Sequence, residues 1–114
     1  MTILLVTTDL MAASMLAGAA KSASAELQVS SPTAAAEAVT THPPQVVIVD
    51  LGSLAGDATP VLQSIRDASP DARLIAFGPH VHKQKLEQAK AAGYDRVMSR
   101  GEFFSRAGEV IAGA

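Results

Sequence analysis

The residues of this chain best placed to do chemistry are Asp50 and the pair Thr7-Thr8. Asp50 follows the most apolar run of the sequence, residues 46–49, and the two threonines follow a second apolar run, residues 3–6. Both runs have the length and composition of strands buried in a parallel sheet. Open α/β sheets carry their functional groups at the carboxyl ends of the strands, so we expect Asp50, Thr7 and Thr8 to lie together and to mark the functional site.

Composition excludes several kinds of site. The chain of 114 residues fits a single domain, 1–114, large enough to bury about two thirds of its unfolded surface. It has no cysteine, which excludes disulfides, thiolate metal sites and cysteine nucleophiles. The formal net charge of -2 exerts no general attraction on nucleic acid or membranes, and we expect neither as a direct partner.

The first residues do not have the pattern of a targeting segment. They carry no basic start and reach Asp9 too soon for a signal peptide. No apolar stretch approaches the roughly 20 residues of a membrane span. We therefore expect a soluble, cytoplasmic protein.

Strand-length apolar runs alternate with segments of helical spacing along the whole chain. Three further strands are predicted at about 27–29, 74–77 and 96–98. Helices are predicted at about 9–22, 31–40, 59–68, 83–92 and 102–111. Five strand-helix units with short connections indicate a parallel sheet with helices on both faces, which is a three-layer α/β/α sandwich.

The polar cluster after the first strand, segment 46–51, the strand 74–77 and the ending 93–100 together resemble a bacterial response-regulator receiver domain. The resemblance covers nearly the whole chain and depends on the order and spacing of elements around Asp50. It implies a five-stranded parallel sheet of flavodoxin-like order 2-1-3-4-5.

Receivers accept a phosphoryl group on the aspartate that ends the third strand, and this position matches Asp50. A divalent cation must neutralise the phosphoryl oxygens during transfer, and two acidic residues after the first strand help to hold it. Thr7 and Thr8 occupy those two positions here, and Asp9 comes one position late. The resemblance therefore implies no cofactor beyond weak Mg²⁺ binding near Asp50 and Asp9.

Three further positions depart from the receiver pattern. Gly78 stands where receivers have a serine or threonine that binds the phosphoryl group. Arg100 stands where receivers usually have a lysine, and its planar fork does not reach the same point as a compact ammonium. Val97 replaces the aromatic ring that often reports activation. These departures predict a degenerate receiver, a signalling module that is not an enzyme and acts by binding protein.

The basic residues of the chain are concentrated in its last third, which indicates where a partner binds. Receivers commonly dimerise or contact output partners through the surface of the fourth helix, fifth strand and fifth helix. We expect the same surface to bind a protein partner or a second copy here. The residues predicted to make this contact are Lys83, Lys90, Arg96, Arg100, Phe103 and Arg106.

Three alternatives stay open at this stage. Asp50 could accept a phosphoryl group with an unusual metal site that uses Asp9. It could instead be structural, either capping the turn through Gly52 and Ser53 or pairing with Arg100. The chain could also be a small flavodoxin-like enzyme or ligand-binding protein with a cleft above Asp50, Gly78 and Arg100.

A metal site at His80 and His82 is not expected. The two histidines flank one residue, but no third ligand has a suitable spacing.

Overall fold

Five parallel strands form the centre of the structure, a computed structural model that describes residues 1–113. They lie in the order β2-β1-β3-β4-β5, which confirms the predicted order. The strands are β1 (Thr2–Val6), β2 (Glu26–Ser30), β3 (Val46–Asp50), β4 (Arg73–Gly78) and β5 (Arg96–Ser99). Because all strands run the same way, Asp50 and the residues after Val6 lie together at the carboxyl ends of the strands.

Helices cover both faces of the sheet. They are α1 (Leu10–Ser22), α2 (Ala35–Thr41), α3 (Thr59–Ala68), α4 (Lys83–Ala92), α5 (Arg100–Ser105) and α6 (Ala107–Ile111). Single 3-10 turns at Pro32–Ala34 and Leu51–Ser53 precede α2 and follow β3. Among residues 1–113, no helix combines the length and the apolar character needed to span a membrane.

The predicted last helix, 102–111, differs from the structure at both its start and its middle. The Ser99 side chain accepts the Glu102 N–H at 3.2 Å, so α5 begins at Arg100, directly after β5. Arg106 then leaves the helical conformation at φ -129° and separates α5 from α6. The chain therefore has no loop at Arg100, whose side chain starts from the first turn of a helix.

Two apolar clusters, one on each face of the sheet, hold the layers together. Alternate strand residues pack against α2, α3 and α4 on one face. The residues between them pack against α1, α5 and α6 on the other. Every residue of β3 is buried because helices cover both of its faces. The carboxylate of Asp50 therefore ends a strand that lies wholly inside the protein.

Arg73 joins the start of β4 to the end of the last helix. Its Nη2 donates to the carbonyl oxygens of Val110 and Ile111, the latter at 3.5 Å. The last carbonyls of a helix have no partner within the helix, and a cation there also opposes the negative end of the helix dipole. Arg73 thus fixes α6 against the sheet.

Replacement of this arginine tests the anchor. Arg73→Met keeps the aliphatic stem but removes the donors, so the free energy of unfolding should fall by about 1–2 kcal/mol in urea titrations. The matched control is Arg106→Met, because Arg106 pairs with Glu109 on the surface and should change stability by less than about 0.5 kcal/mol. Equal losses in the two variants would contradict the anchoring role.

Candidate functional site

Asp50 lies at the carboxyl end of β3 with only 3% of its surface exposed. Its Oδ1 accepts the backbone N–H of Gly52 at 3.0 Å. Its Oδ2 accepts the hydroxyl of Thr7 at 2.8 Å and that of Ser53 at 3.0 Å. A buried carboxylate needs such donors, because an unsatisfied charge away from water is very costly. Both oxygens of Asp50 are therefore engaged by neutral groups of the protein itself.

The two hydroxyls that contact Asp50 also organise the loop after β1. Ser53 Oγ accepts the backbone N–H of Thr8 at 2.9 Å. Thr7 Oγ1 accepts the backbone N–H of Asp9 at 3.0 Å. We call Asp50, Thr7, Thr8 and Ser53 the hydroxyl network. It ties the loop after β1 to the turn after β3, and it confirms that Asp50 caps that turn through Gly52 and Ser53.

Arg100 contacts Asp9 and not Asp50. Its Nη2 donates to Asp9 Oδ2 at 3.0 Å. The guanidinium also lies over two aromatic rings, 5.8 Å from the centroid of Phe77 and 5.4 Å from that of Phe104. Cation-π attraction at these distances holds the fork in place. The proposed pairing of Arg100 with Asp50 is therefore wrong, because the rings and the Asp9 carboxylate hold the guanidinium elsewhere.

The carboxylate of Asp9 has two structural partners. Its Oδ1 accepts the N–H of Met11 at 2.9 Å and caps the start of α1, while Oδ2 binds Arg100. The Met11 N–H is the main cause that lowers the pKa of Asp9, partial desolvation opposes it, and Arg100 lowers the pKa further. Asp9 thus stays ionised while linking α1 to α5.

The space above Gly78 is closed by apolar side chains. A Cβ at this position would lie 3.3 Å from Leu51 Cβ and 3.5 Å from Leu86 Cδ2. A side chain at this position would meet Leu51 and Leu86 at its first carbon, and Leu51 would have to shift by a few tenths of an ångström to admit it. The geometry around Gly78 therefore gives no support to the ligand-binding cleft considered above Asp50, Gly78 and Arg100.

The donor set near Asp50 does not suit Mg²⁺. A cation that binds Oδ2 would have to displace the hydroxyl protons of Thr7 and Ser53. Asp9, which the sequence offered as a second ligand, already binds Met11 and Arg100. Magnesium prefers several oxygen ligands in octahedral geometry, usually with carboxylates among them. Within residues 1–113, no cluster of three or more histidine or acidic side chains is placed to hold a metal ion.

The residues predicted to bind a partner fall into two groups. Lys83, Lys90 and Arg106 are exposed, and Arg96 is half-buried. Phe103 and Arg100 are placed differently.

Phe103 is fully buried and stacks on Phe77 with ring centroids 5.0 Å apart. It cannot touch a partner, because the apolar face of the short α5 packs onto the sheet; its prediction as a contact residue is corrected. Arg100 is turned towards Asp9 and lies against two rings, as described above.

Ser53 is the functional residue that sequence reasoning undervalued. It contacts Asp50, Thr7 and Thr8 and so lies at the centre of the hydroxyl network. Asp50 followed by Gly52 is a usable signal, since an aspartate side chain often accepts the backbone N–H two residues on and so caps a turn, which places Ser53 beside it. Contact with the loop after β1 could not be predicted locally, because the two segments are more than 40 residues apart.

Comparison with known proteins identifies the fold through structure and not through sequence. No sequence family profile matches the chain, and no curated protein matches it.

Solved structures do match. A response regulator from Thermotoga maritima superposes with a TM-score of 0.82 at 14% identity, over 97% of this chain and 93% of the other. The receiver domain of a DNA-binding response regulator from Colwellia psychrerythraea 34H gives 0.81 at 21% identity, over 97% and 94%. The receiver domain of a sensor histidine kinase from Pseudomonas aeruginosa PAO1, with magnesium in its active-site cleft, gives 0.82 at 13%, over 96% and 93%. The chain therefore has the response-regulator receiver fold, which confirms the resemblance at the level of structure.

The link between Asp9 and Arg100 can be tested by titration. In Arg100→Gln the pKa of Asp9, followed by carboxyl ¹³C NMR, should rise towards its usual 3.8 because one of the contacts that lower it is lost. Asp57 is the internal control, since its pKa is lowered by Thr59 and should not move. An unchanged Asp9 pKa would contradict the contact.

The sign of the linked pH effect follows from the same shift. A lowered folded-state pKa means that Asp9 stabilises the fold fully above its unfolded value of 3.8. This stabilisation is lost as the pH falls through the folded-state pKa, and the loss should be smaller in Arg100→Gln.

Proposed function

We propose that this chain is a receiver-like signalling module of a two-component pathway that acts by protein contact, without Mg²⁺-dependent phosphorylation of Asp50. The observation that carries the proposal is that neutral donors of the protein engage both oxygens of the Asp50 carboxylate. Thr7, Ser53 and Gly52 donate to its oxygens where a receiver would need a cation and a phosphoryl donor.

Phosphoryl transfer to Asp50 would require at least two rearrangements. The carboxylate must turn an oxygen towards phosphorus, although it is 3% exposed and hydrogen bonds already hold both of its oxygens in place. A cation must also offset the repulsion between carboxylate and phosphoryl oxygens. Replacement of two acids by Thr7 and Thr8 removes two formal charges from any such site. We therefore propose that Mg²⁺ binds weakly and that the site is not an enzyme active site.

The arrangement of Arg100 supports a module held in one state. Its contacts with Asp9, Phe77 and Phe104 connect the loop after β1 with β4 and α5. In receivers a lysine usually stands at this position, and a nearby aromatic ring often reports activation. Here Val97 supplies no ring, and Arg100 already has a carboxylate partner.

The surface of α4, β5 and α5 is the proposed partner site. Lys83 and Lys90 are exposed on α4, and a cleft of about 200 Å³ runs between α4 and α5, lined by Lys90 and Glu102 among others. Arg96 is half-buried on β5, and Arg106 is exposed at the end of α5, where it pairs with Glu109. An acidic surface on another protein, or on a second copy, would complement this face and be steered to it.

Restoration of the missing acids tests the first part of the proposal. The wild type should show no Asp50-dependent mass gain with acetyl phosphate and Mg²⁺, and no Mg²⁺-dependent rise in Tm. Thr7→Asp/Thr8→Asp should gain a Mg²⁺-dependent rise in Tm, because ligand binding stabilises the folded state. The same variant carrying Asp50→Asn is the control and should lose most of that gain. A phosphorylated wild type would overturn the proposal in favour of a phosphoacceptor that uses Asp50.

Charge reversal tests the partner surface. Lys83→Glu/Lys90→Glu should weaken co-purification of the wild-type partner by at least about tenfold, since the two substitutions change a cationic face into an anionic one. Lys21→Glu, on α1, is the matched single-site control and should bind as the wild type does. Equal capture by all three proteins would place the contact elsewhere.

A further inference from the structure

β2 is an edge strand whose outer side is open. It pairs with β1 alone, and its Glu26 N–H donates to Met1 O at 2.8 Å while its Ser30 O accepts the Thr7 N–H at 2.9 Å. Parallel strands bond through alternate residues, so Glu26, Gln28 and Ser30 direct their backbone groups to β1. The two residues between them, 27 and 29, therefore turn their backbone N–H and C=O groups away from the sheet.

This edge has few of the features that commonly prevent strands from pairing: its one charge, Glu26, is at its first residue. Natural edges are protected by lysine, proline, bulges or a covering segment. β2 reads Glu-Leu-Gln-Val-Ser, with no lysine or proline, and its register with β1 is continuous. Val29 is 49% exposed. A cleft of about 470 Å³ opens beside Gln28 and Val29 on the face that carries α2.

We propose that β2 pairs antiparallel with β2 of a second copy, about a two-fold axis through Gln28. In this register Leu27 lies opposite Val29 of the second copy, and the pair exchanges both backbone hydrogen bonds. The two-fold axis repeats the same pair on its other side. The two five-stranded sheets then join through their β2 strands into one continuous sheet.

Charge and side-chain pairing select a second copy as the occupant. Glu26 is the only charged residue of β2 and lies opposite Ser30 of the second copy, so no like charges meet. The Gln28 amide carries both donors and an acceptor and can pair with its own symmetry copy. Leu27 and Val29 form an apolar cross-strand pair on one face. If the two strands slipped by one residue, the outward N–H and C=O groups of one strand would face inward-pointing groups of the other. Such a register is therefore excluded.

A charge swap at the two-fold axis tests the register. The wild type should dimerise with rising concentration in sedimentation velocity experiments. Gln28→Lys and Gln28→Glu each place like charges opposite one another, so each dissociation constant should rise by about tenfold or more. An equimolar mixture of the two variants should recover the dimer, because the ammonium of one variant would then face the carboxylate of the other across the axis. Gln63→Lys, an exposed change on α3, is the matched control and should leave the dimer intact.

Hydrogen exchange provides a second readout on the unmodified chain. The amides of Leu27 and Val29 should become protected only as the dimer forms, whereas those of Gln28 and Ser30 should be protected at every concentration. A wild type that stays monomeric up to millimolar concentration, or a mixture that fails to recover the dimer, would overturn the proposal.

Two surfaces of this chain could support self-association, and the variants separate them. A dimer lost in Lys83→Glu/Lys90→Glu but kept in the Gln28 variants would assign self-association to the α4-β5-α5 surface and overturn pairing through β2. Because the Gln28 variants leave Asp50 untouched, this result is independent of the phosphorylation test.

Discussion

The burial of one carboxylate constrains the functional end of this protein. Asp50 ends a strand that helices cover on both faces, and its charge must be satisfied without water. In a receiver with an acidic cluster, a cation can meet that need. Here the hydroxyls of Thr7 and Ser53 and the N–H of Gly52 meet it. The same contacts connect the loop after β1 to the turn after β3, so the hydrogen bonds that stabilise the Asp50 charge also set the shape of the site.

The charge of Arg100 is satisfied by other partners. The guanidinium lies against a carboxylate and two aromatic rings, an environment that suits its planar, weakly hydrated cation better than a lysine ammonium. Asp9 is oriented for this contact because it already caps α1. The positive and negative charges at this end of the sheet are thus paired in ways that leave Asp50 to neutral donors. The protein has the receiver fold, and at this end of the sheet Arg100 pairs with Asp9 while Asp50 accepts from neutral donors.

Most of the fold could be predicted because its causes are local. Apolar runs of strand length, helical spacing between them and proline or glycine at the boundaries indicated the strands and both helical layers, and the receiver resemblance implied the strand order. The last helix was harder. Its start depends on the Ser99 cap and its break on the conformation of Arg106, which a regular apolar spacing does not reveal. Phe103 was misjudged for a similar reason, since spacing alone did not show which face of a short helix would meet Phe77.

The sequence by itself determined the order of the elements, the position of Asp50 at the end of β3 and the neutral threonines at positions 7 and 8. Only the tertiary structure decided that Thr7 donates to Asp50 and that Asp9 is the carboxylate that binds Arg100. Those partners belong to segments separated by more than 40 and 90 residues, respectively. The length of an arginine side chain allows several partners, and the choice among them depends on rings and carboxylates that meet only when the sheet is assembled. The spacing of apolar residues predicts the strands and helices. Which charged side chains pair depends on how those strands and helices pack together.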